Sequence, residues 1–177
     1  MNILQRFHRT AISTPAAFSK MYETNRVPVF RYIYSLMGGP AADAEDLTAE
    51  TFIRAWKARH SFEEEADSAI GWLIGISKRL VIDDHRRKTV RQTSDLSYNL
   101  KAETTTEEEI LVLQQKDELL ALLKQLPDDQ REILVLRHML GWKVQQIASH
   151  MGPTENNVSV ILHRTLASLR EKMEFPA

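Results

Sequence analysis

Apolar residues recur at helical spacing along most of the chain, and they do not alternate with a period of two over any useful length. Spacings of three and four residues place apolar side chains on one face of a helix, whereas a half-buried strand needs alternation. We therefore predict an all-α protein, with Asp43 as the N-cap of the second helix. The predicted helices cover residues 18–37, 43–60, 70–87, 110–126 and 128–140, followed by a closing pair within 141–172.

The closing pair has the pattern of a helix-turn-helix. Gly152 and Pro153 interrupt a short amphipathic helix that ends at Met151, and Thr154 is a good N-cap for a longer one. At 100° per residue, the longer helix has one apolar side and one mostly polar side. The pattern fits either a DNA-reading pair or an ordinary helical hairpin with a polar outer side. The predicted inner side holds Val158, Leu162, Thr165 and Leu169, and the outer side holds Asn156, Val160, His163 and Ala167.

A polar segment divides the chain into two small parts. Residues 92–109 are rich in Thr and Glu and have no apolar stripe, which is typical of a linker. Residues 1–92 carry a net charge of +3, residues 93–132 carry −6 and residues 133–177 carry +2, so the overall charge of −1 hides a basic–acidic–basic order. We predict two small helical domains, at 15–92 and 112–173, joined by a flexible acidic linker at 93–111.

Composition excludes several classes of site. The chain of 177 residues has no cysteine, which rules out disulfides and thiolate metal sites, and its six histidines are scattered, so we expect no metal site. No apolar run approaches the roughly 20 residues that span a bilayer, and the N-terminus lacks the pattern of an export signal. We expect a cytoplasmic protein without membrane insertion.

Two charged helices are candidate binding surfaces. The helix within 70–87 carries a basic cluster that extends to Arg91, and basic charge beside aromatic residues suits a nucleic-acid strand. The helix within 43–60 has acidic first turns and basic last turns. Both arrangements also complement the helix dipole, and taken alone the basic cluster is better explained as a solvated helix end. No histidine cluster or glycine-rich phosphate loop accompanies the carboxylates, so we do not expect an enzyme.

Taken in order, these features resemble a bacterial RNA polymerase sigma factor of the extracytoplasmic-function (ECF) group of the sigma-70 family. The resemblance covers roughly residues 15–92 and 112–173. In the first domain it lies in Asp43-Ala44-Glu45-Asp46-Leu47-Thr48, Glu50-Thr51-Phe52, Arg54-Ala55-Trp56, Trp72-Leu73, Ile76, Asp83 and Arg86-Arg87. In the second domain it lies in Leu126-Pro127, Arg131-Glu132, Leu134, Leu136, Gly141, Ile147-Ala148, Met151-Gly152, Val158, Leu162, Arg164 and Leu169-Arg170.

The resemblance implies three binding surfaces and no catalytic residue, cofactor or small-molecule substrate. It implies docking on the β′ clamp and β flap of RNA polymerase core, recognition of promoter DNA, and control by an anti-sigma factor. The core-binding residues would be Asp43, Asp46, Glu50 and Arg54. The −10 DNA would be held by Ser61, Phe62, Trp72, Lys78, Arg79, Arg86 and Arg87, with the loop 61–68 holding a flipped base. The −35 DNA would be read by Asn156, Asn157, Ser159, Val160, His163 and Arg164.

The longer helix of the closing pair, which would read the −35 DNA, departs from the family pattern, and this keeps other functions open. The family often has basic residues where this chain has Ser159 and Ile161, so phosphate contacts would be weaker here. One alternative is a sigma-like decoy that binds an anti-sigma factor without reading promoters. A second is a free-standing helix-turn-helix repressor, which would leave the N-terminal half without a role.

Overall fold

The computed structural model describes residues 12–62, 68–91 and 118–174, and every regular element in these ranges is helical. This confirms the predicted all-α class. The predicted linker 93–111 lies outside the described residues. The helices are α1 (Pro15–Met37), α2 (Ala41–Ala58), α3 (Ala69–Arg91), α4 (residues 118–124), α5 (Asp128–Leu134), α6 (Val144–Met151) and α7 (Glu155–Glu174), with a 3₁₀ turn at Arg59–Ser61 and a π-helical turn at Val135–Met139.

The described residues fall into two compact units. The first contains those up to Tyr34 and those of Gly39–Asp83, and the second contains Ser35–Gly38 and those from Asp84 onward. The first unit therefore holds most of α1, all of α2 and most of α3. The second holds α4 to α7.

Helical spacing in α1 predicts an inner side that includes Tyr22, Val29 and Ile33. Val29 and Ile33 are fully buried as predicted, but Tyr22 is 43% exposed. The Tyr22 ring lies edge-on to the ring of Phe52 at 4.7 Å between centroids, so it borders the core without entering it. Tyrosine tolerates this position because its apolar ring can pack while its hydroxyl stays in water.

The second helix begins earlier than predicted. Pro40 is the N-cap of α2 and makes no side-chain cap bond, so Asp43 lies in the first turn and is not the N-cap. An acidic residue in a first turn still interacts favourably with the partial positive charge there. The buried residues of α2 are Ala44, Leu47, Thr51, Phe52 and Ala55.

A buried polar contact joins α2 to α3. The hydroxyl of Thr51 donates to the Leu47 carbonyl at 2.8 Å, and that of Ser77 donates to the Leu73 carbonyl at 2.8 Å. The two hydroxyl oxygens are 3.3 Å apart, and both residues are fully buried. The pair is satisfied by the helices' own carbonyls, so small side chains let α2 and α3 approach closely without a polar penalty.

Side-chain hydrogen bonds fix the helices of the second unit. The Arg131 guanidinium donates to the carbonyls of Leu123 and Leu126 at 2.8 and 3.0 Å, which satisfies carbonyls left open at the end of α4. The buried Thr165 hydroxyl donates to the Gln130 amide oxygen at 3.2 Å, and this bond ties α7 to α5. These contacts, together with a buried apolar stripe, set the orientation of α7.

Candidate nucleic-acid and protein interfaces

The turn between α6 and α7 has the geometry of a helix-turn-helix. Gly152 has φ 96°, in the left-handed region, and its N–H donates to the Ala148 carbonyl at 2.8 Å. The Thr154 side-chain oxygen accepts from the Asn157 N–H at 3.3 Å, which is an N-cap bond. The predicted glycine turn and threonine cap are both confirmed.

The two sides of α7 are those that the sequence predicted. Val158, Leu162, Thr165 and Leu169 are all buried. Asn156, Val160, His163 and Ala167 are all exposed and form what we call the outer face. The amphipathic pattern was sufficient to predict both sides, because one side of α7 packs against α5 and α6 and no described residue covers the other side. Exposure makes this face available to DNA, but it does not by itself assign a ligand.

The outer face is poor in positive charge near the start of α7. No Lys or Arg lies between Glu155 and His163, and the exposed Arg164 and Arg170 follow further along. The Ser159 hydroxyl donates to the Glu155 carbonyl at 3.0 Å, so its proton serves the helix. Asn156, Asn157, Val160 and His163 are the remaining side chains that could meet a base edge.

On α3, three of the predicted −10 residues lie along one line of the helix. Trp72, Arg79 and Arg86 are seven residues apart, which is close to two helical turns, and the line spans about 21 Å. Arg79, Arg86 and the neighbouring Arg87 are exposed, and Trp72 is half-buried. Such a line of one aromatic ring and cations suits a nucleic-acid strand. Lys78 is half-buried on a different side of α3, so the structure does not bring it into this line.

Phe62 differs from the expected DNA-contacting residue. It is only 2% exposed, and its ring centroid is 5.1 Å from that of Trp72. A side chain this deeply buried supports the indole of Trp72 and does not present its own ring to a base. Ser61 is exposed, with its hydroxyl donating to the Ala58 carbonyl at 2.7 Å. Residues 63–67 of the predicted base-holding loop lie outside the described residues.

The outward side of α2 carries the predicted docking residues. Asp46 and Arg54 are exposed, and Asp43 and Glu50 are half-exposed. Arg54 and Glu50 form an ion pair at 2.8 Å. Exposed pairs one turn apart contribute only about 0.3–0.5 kcal/mol, so a partner can replace this pair at small cost.

An exposed apolar residue of the same surface was not predicted from the sequence. Ile53 is 48% exposed between Glu50 and Arg54. A groove of about 360 Å³ between α1 and α2 has a mixed lining: Tyr22, Val27, Phe30 and Ala49 together with Arg26, Glu45 and Thr48. The signal was visible in the sequence, because Ile53 is a large apolar residue on the charged side of an amphipathic helix.

Comparison with known proteins decides the family. The family Sigma-70 region 2 matches residues 21–91, and the family Sigma-70, region 4 matches residues 116–169. Together the two matches cover well over half of the chain. The chain belongs to the sigma-70 family. The resemblance seen in the sequence is therefore confirmed.

The curated relatives place the sigma-70 protein in the ECF group. The ECF RNA polymerase sigma factor BldN of Streptomyces coelicolor is 29% identical over 170 residues, which are 94% of this chain and 64% of BldN. The ECF RNA polymerase sigma factor SigL of Mycobacterium tuberculosis is 27% identical, with 94% of each chain covered. The ECF RNA polymerase sigma factor SigX of Bacillus subtilis is 27% identical, with 89% of this chain covered and 84% of SigX. The sigma-70 protein is thus a promoter-directing sigma factor of the ECF type.

Two solved structures share its fold. CnrH, solved with the cytosolic domain of CnrY, has a TM-score of 0.71 at 21% identity, covering 95% of this chain and 94% of CnrH. RpoE of Bartonella quintana, solved with the anti-sigma factor NepR, also has a TM-score of 0.71, at 22% identity, covering 90% of this chain and 98% of RpoE. At this level of identity the likeness establishes the fold.

In the part of the chain that the structure describes, no helix is long and apolar enough to cross a membrane. No group of three or more His, Cys, Asp or Glu side chains there is placed to hold a metal ion.

Proposed function

We propose that this ECF-type sigma factor binds RNA polymerase core through α2, holds the −10 element along α3 and reads the −35 element with the outer face of α7. The observation that carries the proposal is the exposed outer face of α7, ordered by a helix-turn-helix, in a chain that matches both sigma-70 regions. The proposed domains are residues 15–92 and 112–173, with the acidic linker 93–111 following the basic RNA exit path of the polymerase.

Core docking rests on the mixed surface of α2. Asp43, Asp46, Glu50 and Arg54 would meet opposite charges on the β′ clamp, which steer association. Exposed Ile53 and the apolar part of the groove between α1 and α2 would supply the apolar contact, because protein interfaces draw most of their affinity from a desolvated centre inside a polar rim. The second domain would meet the β flap.

Handling of the −10 element rests on the line along α3. Arg79, Arg86 and Arg87 would hold phosphates of the opened strand, and Trp72 would stack on a base that has left the duplex. Phe62 would act one step back, by holding the indole of Trp72 in place. Ser61 and Lys78 would make further contacts to the −10 DNA at the edge of this surface.

At the −35 element, α7 would enter the major groove with its N-terminal residues towards the bases, as in other helix-turn-helix proteins. Asn156, Asn157, Val160 and His163 would face base edges, and Ser159 and Arg164 would border the phosphates. The shortage of cations predicts weak DNA binding by the free protein, with a shallow salt dependence.

The proposal extends to partners and place of action. CnrH was solved with the cytosolic domain of CnrY, and RpoE was solved with the anti-sigma factor NepR, so we propose that a dedicated anti-sigma factor covers the docking surfaces of this chain. Binding and base reading need no covalent step, so we propose a non-enzymatic subunit that acts in the cytoplasm beside the polymerase.

Core binding provides the first test. Asp46→Ala combined with Glu50→Ala is expected to weaken binding to purified core by about tenfold, mainly by slowing association, because charges at the rim of an interface steer the encounter. Glu23→Ala with Glu171→Ala removes the same charge elsewhere and is expected to leave the affinity unchanged. Equal affinity for all three proteins would remove α2 from the docking surface.

A second function is favoured by the same cation-poor helix. A decoy would bind an anti-sigma factor without reading promoters, and the lack of Lys or Arg between Glu155 and His163 suits it. Selection of promoters from a random DNA pool by the assembled holoenzyme separates the two. An enriched −35 motif supports the sigma function, whereas core binding with no enriched motif supports the decoy.

A further inference from the structure

An apolar side chain occupies the middle of the outer face of α7. Val160 is 40% exposed, while Val158 and Leu162 already supply the buried contacts of this part of the helix. A single exposed valine is common on protein surfaces and needs no explanation by itself. Local structure does not favour it here, because valine is a poorer helix former than Lys, Arg, Gln or Glu. The position of Val160, one turn after Asn156 on the face proposed to meet DNA, is what carries information.

The major groove offers one apolar group. Base edges there present hydrogen-bond donors and acceptors, and the exception is the C5-methyl group of thymine. Asparagine pairs with adenine through N6 and N7. Ser159 has its proton on the Glu155 carbonyl. Asn156 and Val160 lie one turn apart on the outer face, so they can face neighbouring base pairs together.

We propose that the outer face of α7 selects A·T pairs, with Val160 packed on a thymine methyl group and the Asn156 amide paired with an adenine. The inference rests on the proposed function, since it requires α7 to enter the −35 groove. Asn156 and Val160 are separated by about 6 Å along the helix axis. Base pairs are spaced about 3.4 Å apart, so the two A·T pairs lie within two base-pair steps of each other.

The test removes the methyl group and nothing else. Holoenzyme made from the full chain and core polymerase selects a −35 motif from duplexes randomised at that element. The selected duplex is then remade with deoxyuridine in place of thymidine in the motif. Binding by the wild-type holoenzyme is expected to weaken about fourfold, the value of one buried methyl group. Val160→Ala is expected to bind the thymine duplex about fourfold more weakly and to show no further loss on the uracil duplex.

Controls separate the failure of this inference from that of the proposed function. Val160→Ala improves helix propensity, so lost binding cannot be blamed on an unfolded helix. Met173→Ala truncates another exposed apolar residue of α7 and is expected to behave as wild type on both duplexes. Asn156→Ala is expected to weaken binding while keeping the methyl effect.

Four results would overturn the inference. If the protein binds core but the holoenzyme enriches no −35 motif, the proposed reading function falls and the inference falls with it. If a motif is enriched but lacks A·T pairs, or if wild type binds thymine and uracil duplexes equally, only the inference fails. A methyl effect that persists in Val160→Ala assigns the contact to another residue.

Discussion

At the scale of single residues, the proposal assigns separate residues to the −10 element, the −35 element and the polymerase. Arg86 and Arg87 stand exposed on α3, and the residues proposed to dock on core lie on α2. Phosphate contacts position DNA without reading its sequence. Their loss should therefore affect all promoters alike and should act on strand opening.

We expect Arg86→Ala with Arg87→Ala to lower open-complex formation by about tenfold or more, because one hydrogen bond between charged groups contributes about 1.5–3 kcal/mol. Binding to core should not change. Open complexes can be followed by permanganate reactivity of unpaired thymines and core binding by fluorescence anisotropy. Lys20→Ala with Arg31→Ala, which removes two exposed cations from α1, serves as the matched control. An equal loss of core binding in the folded double variant would contradict this division of roles.

Whole helices could be predicted to different extents. The two sides of α7 were predictable because Val158, Leu162 and Leu169 recur at helical spacing and one side of the helix stays open. The start of α2 was not predictable. Its N-cap is Pro40, which makes no side-chain hydrogen bond, whereas Asp43 is a residue type that often caps helices but lies within the first turn. Burial of Phe62 depends on its contact with Trp72 across a loop, which local pattern does not encode.

Two glycines should respond to alanine with opposite signs. Gly152 has φ 96°, where an alanine Cβ costs about 1–2 kcal/mol. Gly75 lies inside α3 with open space around the position of a Cβ, so alanine there should stabilise by about 0.5–1 kcal/mol. Thermal unfolding should show a lower melting temperature for Gly152→Ala and a higher one for Gly75→Ala. Shifts of the same sign would contradict the assigned backbone conformations.

The buried Thr51 hydroxyl, which donates to the Leu47 carbonyl, should contribute to stability where α2 packs against α3. Thr51→Val keeps the shape but loses the hydroxyl, and we expect the free energy of unfolding to fall by about 1 kcal/mol. Thr24→Val removes an exposed hydroxyl that also bonds a carbonyl one turn back, and its effect should stay within about 0.5 kcal/mol. Urea unfolding followed by tryptophan fluorescence measures both. Equal effects would mean that burial adds nothing at this position.

For the molecule as a whole, the proposed DNA-binding and core-docking surfaces would act together because one chain carries both. A cation-poor α7 would bind DNA weakly alone, but the proposed anchoring on core would raise its local concentration at the promoter without any new contact. The net charge of −1 is therefore compatible with promoter binding, although it argues at first against a nucleic-acid partner. The net charge alone does not reveal the two basic segments of the chain, which the uneven distribution of charge along the sequence does.

Run-off transcription with purified core polymerase on the protein's own upstream region tests the central claim most directly. The account predicts a defined transcript that requires both core and this protein, and that disappears when the −35 segment of the template is scrambled. Core binding without any promoter-dependent transcript, on this region or on templates selected from a random pool, would contradict it.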